Sequence, residues 1–383
     1  MPATTPISMD IVRGARELEP TAHGLLPHRL PGWARAQCAD PQLAMAESQP
    51  AGCRLVFRTR STMIELDALR TRAAYRGMPM RPDGVYDVLI DGRLAGQASL
   101  TGGNVLMKDA ASGTEELLPG APGTIRFAGL PDRQKTVEIW LPHNETTELI
   151  ALRSDQPLES CPITRPIWLH HGSSISHGSN ALHPTGTWPA LAAAGAGVEL
   201  INLGMGGAAL LDPFTARTMR DIPADLISIK IGINVVNADL MRLRAFGPAV
   251  HGFLDTIRDG HPTTPIVVVS ALYLPHPRRH SRTAGTRFQQ RHNDICRHRR
   301  SGRDQSGQAH AARHPSRTGG HRRTTIRGRP TPSLPRRIDA VWARRLFRAP
   351  TPRQRASRTA GSPTGRRAFR RRHPTAARVT ISD

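Results

Sequence analysis

The period of apolar and polar positions changes along the chain, and each change predicts a different kind of structure. Between residues 53 and 66 apolar side chains such as Leu55, Phe57, Ile64 and Leu66 alternate with polar ones, the period-two signature of half-buried strands. This stretch reads as a strand pair. Residues 85–90 lead into Asp91-Gly92 and then residues 94–100; Asp-Gly supplies the positive φ angles of a tight primed turn, so a hairpin is predicted. Residues 124–127 and 136–141 add strands. Together these predict a small antiparallel β-sandwich over residues 51–155.

After Pro162 short apolar runs alternate with helical stretches. The runs are residues 167–170, 200–203 and 226–231, with a helix at 188–196. A long amphipathic helix over 238–258 then precedes a buried run at 266–270. Such alternation predicts a parallel sheet built from βαβ units, an α/β domain over residues 160–277. Ligands of such sheets bind at the carboxyl ends of the strands. Residues 1–50 show no sustained period and read as a loosely ordered lead-in with one short helix. Beyond Pro277 no apolar face recurs, and only residues 338–347 suggest a helix. Residues 278–383 are therefore expected to be a disordered tail.

Charge sharpens that division. The net charge is +23, yet residues 278–383 hold 29 Arg against 4 Asp with no Lys and no Glu, so the body is slightly acidic. Polyanion or nucleic-acid binding is thus an alternative function confined to the tail. The tail's aromatics are Phe288, Trp342, Phe347 and Phe369, without a zinc-finger or RGG-like pattern, and no specific nucleic-acid partner is expected. The first residues lack a basic and an apolar region, and no apolar run approaches the ~20 residues of a spanning helix. A cytoplasmic chain without membrane partner is expected. Cys38, Cys53, Cys161 and Cys296 have no CxxC spacing, and the His residues form no HExxH; no metal and no cofactor is expected. Trp140 lies on a strand whose one face must be exposed, so it reads either as core or as a sugar-stacking surface.

Three short motifs follow three successive predicted strands. The first is His171-Gly172-Ser173-Ser174-Ile175-Ser176-His177-Gly178, where the glycine allows a sharp turn and presents a Ser hydroxyl near a helix N-terminus. The second is Asn202-Leu203-Gly204-Met205-Gly206-Gly207, whose glycines let a backbone N–H approach a substrate oxygen. The third is Gly232-Ile233-Asn234, whose carboxamide can donate into the same rim. Alone, each is equally a turn or a helix cap. In this order they supply a hydroxyl nucleophile, a backbone N–H and a side-chain N–H, the parts of an acyl-transfer site.

These blocks resemble the GDSL-type (SGNH) esterase and lipase family, in a branch with a small β-rich N-terminal domain. The resemblance spans residues 120–275. It implies a flavodoxin-like three-layer hydrolase domain, with Ser174 as nucleophile and with Gly207 and Asn234 lining the oxyanion hole. It further implies hydrolysis of a carboxylic ester, with a small ester or acylated glycan as substrate. Two departures stand out. Ser173 replaces the usual Asp of the first block, and the family's Asp-x-x-His, whose His is the general base, occurs nowhere in the chain. Asp259-Gly-His261 has the wrong spacing. Either a tail histidine (His276, His280, His310 or His373) takes the role, or the tail is the wrong reading frame of a GC-rich gene, which yields Arg, Pro, Ala, Gly, Ser, Thr and His. In the second case the domain's C-terminus is incomplete and the enzyme is nearly inert as translated. The acyl substrate and the oligomeric state are not readable from the residues.

Overall fold

The computed structural model describes residues 3–270 and 379–382. Its N-terminal part starts with β1 (Ala3–Thr5), β2 (Val12–Arg13), β3 (Glu17–Pro20) and β4 (Leu25–His28), followed by helices α1 (Gly32–Arg35) and α2 (Pro41–Ser48). The strands continue as β5 (Arg54–Thr59), β6 (Met63–Tyr75), β7 (Val85–Ile90), β8 (Arg93–Ser99) and β9 (Asn104–Lys108). They end with β10 (Glu115–Leu118), β11 (Gly123–Ala128), β12 (Lys135–Trp140), β13 (Thr146–Ser154) and β14 (Glu159–Ser160).

Two sheets, β10-β9-β6-β13-β4-β3 and β14-β5-β12-β7-β8, face each other across one core. Leu55, Phe57, Val88 and Ile139 enter that core from one side, and Ile64, Leu66, Phe127 and Leu149 from the other. The predicted β7–β8 hairpin is present, with φ of 49° at Asp91 and 75° at Gly92. All pairings are antiparallel except β6 with β9.

The structure departs from the sequence expectation in several places. Residues 1–50 are not a loose lead-in. Four of their strands pair within the two sheets, and Arg29, Leu30 and Ala34 are fully buried. The stretch at 53–66 is not a strand pair, because β5 bonds to β12 and β6 to β13 and β11; residues 60–62 carry the chain from one sheet to the other. Alternation reports a half-buried strand but not its partner. Trp140 is buried, its Nε1 donating to Glu138 Oε2 at 2.9 Å and its ring lying 4.5 Å beneath the Arg54 guanidinium, so it cannot stack on a sugar.

The α/β part runs β15 (Ile167–Gly172), α3 (Ser174–His177), α4 (Trp188–Ala196), β16 (Glu199–Gly204), α5 (Pro213–Asp221), β17 (Leu226–Lys230), α6 (Ile233–Asn237), α7 (Leu243–Gly260) and β18 (Ile266–Val269). The order β16-β15-β17-β18 is all parallel, the doubly wound order with its switch point at β15. Leu169, Ile201, Ile227 and Ile229 pack on α5 and α7 on one face. Trp168, Leu200 and Leu226 pack on α4 and Trp140 on the other. This is the three-layer SGNH-type arrangement. The helix expected over 238–258 is α7, which starts only at Leu243; residues 238–242 are a non-helical link that separates it from the short α6, which the apolar pattern did not predict. The run at 266–270 is half-exposed rather than buried, because β18 is the edge of the described sheet.

The expected disordered tail lies outside the described residues apart from β19 (Val379–Ser382), which pairs antiparallel with β11. Its Val-Thr-Ile-Ser sequence has strand propensity, a local exception to the reading of the tail as unable to join the fold. The short helix suggested at 338–347 also lies outside the described residues.

Candidate active site

The three motifs meet because their strands end level. Gly172 pairs with Gly204 on one side and with Lys230 on the other, so all three following loops leave the same edge. Gly172 serves close approach rather than the sharp turn expected of it: its φ is not positive, and a Cβ there would overlap Ser176 Oγ. A Cβ on Gly204 would likewise overlap the backbone of Ser176 and His177. These two glycines let α3 settle between the ends of β15 and β16. Asn202 fastens the same junction, donating from Nδ2 to Ser176 O at 2.9 Å and accepting the Gly204 N–H at 2.8 Å.

Ser174, half-buried, is the first residue of α3. Its N–H lies in the first turn, where helical N–H groups have no acceptor within the helix. Gly206 approaches closely, since a Cβ on it would lie 3.7 Å from Ser174 Cα. Gly207, exposed and left-handed at φ 77°, takes part in no backbone hydrogen bond among the described residues. Asn234 sits in the first turn of α6, which opens at Gly232 with φ 115°. Its Oδ1 accepts the Ala209 N–H at 3.2 Å, a bond that also fixes which end of the amide is the donor. Thus all three predicted residues lie on one rim.

Two further residues, missed in the sequence, hold this rim from the N-terminal part. Gln42 on α2 donates from Nε2 to Gly206 O at 2.7 Å. Arg29 is fully buried, and its guanidinium donates to Gly204 O at 2.7 Å, Asn202 O at 3.1 Å and Ala46 O. Burial pushes its pKa down to about 10. The Asp40-Pro41 pair, with Asp40 capping Leu43 N–H at 2.7 Å, was a readable start signal for α2. Nothing local marked Arg29.

The histidines around Ser174 are engaged elsewhere. His170 faces Ser228 Oγ at 2.7 Å and Ser176 Oγ at 2.8 Å. His171 Nδ1 meets Leu203 O at 2.8 Å while its ring stacks on Phe253. His177 Nε2 donates to His143 O at 2.6 Å, leaving Nδ1 to accept the Gly206 N–H at 3.3 Å. Burial holds His170 near 3, His171 near 4 and His177 well below the usual imidazole range. All three are neutral. The buried Nε2 of His171 has no partner among the described residues, whereas His170 and His177 are paired through both ring nitrogens and so are not free to take a proton from Ser174. The tail histidines that could do so lie outside the described residues. Among the described residues no group of three or more His, Cys, Asp or Glu could hold a metal ion, and no helix is long and apolar enough to cross a membrane.

The described sheet has the flavodoxin order, and its carboxyl edge carries Ser174, a Gly207 N–H without a partner among the described residues and the Asn234 amide, the arrangement expected of an SGNH-type site. In sequence, residues 164–294 match the model of the GDSL-like Lipase/Acylhydrolase family. The match runs past the expected boundary at 277. Among solved structures, the salicylyl-acyltransferase SsfX3 from a tetracycline biosynthetic pathway is 29% identical, with 79% of this chain and 83% of that one covered at a TM-score of 0.63. A GDSL-like lipase-family protein from Bacteroides ovatus is 21% identical, covering 67% and 71% at 0.49. An acetyl xylan esterase, Est2A, from Butyrivibrio proteoclasticus is 11% identical, covering 79% and 88% at 0.43. No curated protein matches the chain in sequence.

Proposed function

We propose that the chain is a serine acyl-transfer enzyme that cleaves a small carboxylic ester through an acyl intermediate on Ser174. The observation that carries this reading is the Asn234–Ala209 bond. By tying Oδ1 to a backbone N–H it leaves Nδ2 as the free donor of the amide, which supports its use as the side-chain donor of the oxyanion hole. Ser174 Oγ adds to the ester carbonyl, and the developing oxyanion takes hydrogen bonds from the N–H groups of Ser174 and Gly207 and from Asn234 Nδ2. Such donors are worth about 3–4 kcal/mol apiece in the transition state. The C–O bond to the alcohol then breaks, the alcohol leaves with a proton, and an incoming acceptor releases the acyl group. The base for these transfers comes from beyond residue 270 or is missing, and without it turnover falls by about 10⁴–10⁶-fold.

A second reading concerns the acceptor. The 29% identity to a salicylyl-acyltransferase across most of both chains favours an alcohol other than water as acceptor, with hydrolysis as the default in its absence. Both readings are tested by incubating the full chain with p-nitrophenyl acetate, with and without added alcohols, and by labelling with an alkyl fluorophosphonate read by intact mass. One phosphonyl adduct on the wild type and none on Ser174→Ala is expected. Equal nitrophenol release by the two proteins overturns Ser174 as nucleophile. Formation of a new ester in the presence of alcohol selects transfer over hydrolysis.

A further inference from the structure

Resting on the reading of Gly207 as an oxyanion donor, we infer that Gln42 and His177 are positioning residues that aim that donor by gripping Gly206 from both sides. The carbonyl of Gly206 and the N–H of Gly207 belong to one peptide unit, which is planar and trans. They therefore point in opposite directions, and whatever holds the carbonyl sets where the N–H points. Gln42 Nε2 holds it at 2.7 Å. On the other side the Gly206 N–H is accepted by His177 Nδ1 at 3.3 Å. His177 can accept only as the Nε2–H tautomer, and the 2.6 Å contact of Nε2 with His143 O selects that tautomer.

The clamp is needed because this peptide joins two glycines, the second already at φ 77°, so the backbone itself resists a peptide flip weakly. A flip would turn the Gly207 N–H away from the rim and bring a carbonyl dipole towards the oxyanion. Gln42 also lies along Gly207: a Cβ there would come within 3.0–3.2 Å of its Nε2, Cγ and Cδ. The N-terminal part of the chain thereby contributes an arm to the catalytic edge of the parallel sheet, a role distinct from binding substrate.

The test uses the full chain with Gln42→Met, which keeps length without a donor, and Gln42→Glu, whose carboxyl donates only when protonated. The expected result is a fall of about tenfold in kcat and in the rate of Ser174 phosphonylation, with KM and Tm unchanged, since losing an oxyanion donor outright costs about 10²–10³. Relative to wild type at each pH, the loss in Gln42→Glu shrinks as the medium is acidified; a merely structural role for Gln42 would not produce that recovery. Full wild-type rates in Gln42→Met overturn the clamp. If wild-type Ser174 is not phosphonylated at all, the acyl-transfer reading itself fails. In that case the crystal structure of Gln42→Met decides the clamp separately: a turned or split Gly206–Gly207 peptide supports it, and an unchanged peptide overturns it.

Discussion

Asp212 stands just before Pro213 at the start of α5, partly buried, with no hydrogen bond from its side chain to the helix it precedes. Burial, and after it the nearby Asp40 carboxylate, push its pKa from 3.8 up to about 6. The native state therefore binds a proton more tightly than the unfolded chain. Its stabilising contribution is complete below pH 4 and is lost as pH rises through 6, when a charge must be held in a place that disfavours it. Asp212→Asn removes that penalty. The variant should match wild type at pH 4 and exceed it above pH 6.5 by on the order of 1 kcal/mol, a value discounted for the solvent that still reaches the group. Urea denaturation at the two pH values measures the gap; a gap that does not depend on pH counts against the assignment.

At the scale of elements, the ends of β15 and β16 are built for proximity. Gly204→Ala puts a methyl group into the backbone of α3, and a rigid backbone cannot yield as a side-chain tip can. A loss of about 2–3 kcal/mol is expected, read by denaturation of the full chain, together with a fall in Ser174 phosphonylation; an unchanged denaturation midpoint would show that α3 shifts freely. The glycines and the strands they terminate were legible in sequence, because apolar runs and turn residues are local signals. So were α4 at residues 188–196 and the β7–β8 hairpin. Sheet membership was not. Residues 55–57 and 64–66 alternate alike yet serve opposite sheets, and Gln42, Arg29 and His177 matter through partners far along the chain. Period reports which face of a strand is buried, not what covers it.

The whole molecule is joined through buried charge as well as through apolar packing. Glu199, at the start of β16, bonds Arg54 of β5 and, at 3.3 Å, Arg13 of β2, with Arg165 at 3.5 Å. Glu138 of β12 lies 3.4 Å from Arg54 and completes the group. Glu199, Arg13, Arg54 and Glu138 are all buried. Asp87, fully buried in the sandwich, adds a second tie, holding His183 Nδ1 at 2.8 Å and the Thr185 N–H at 2.9 Å ahead of α4. Charges of this kind cost several kcal/mol each to bury and are tolerable only while paired. Neither layer can therefore keep its own half of the network in a dry setting without the other, and the sandwich and the α/β layer should unfold together. Glu199→Gln keeps the shape but leaves Arg13 and Arg54 short of a counter-charge, so a loss of about 3 kcal/mol and a split of the single thermal transition into two are expected. Calorimetry of the full chain reads both. A variant that melts in one transition at the wild-type temperature would mean that apolar contacts around Trp140 and Trp168 suffice to bind the layers. It would also remove the reason for a sandwich strand to reach so deeply beneath the catalytic sheet.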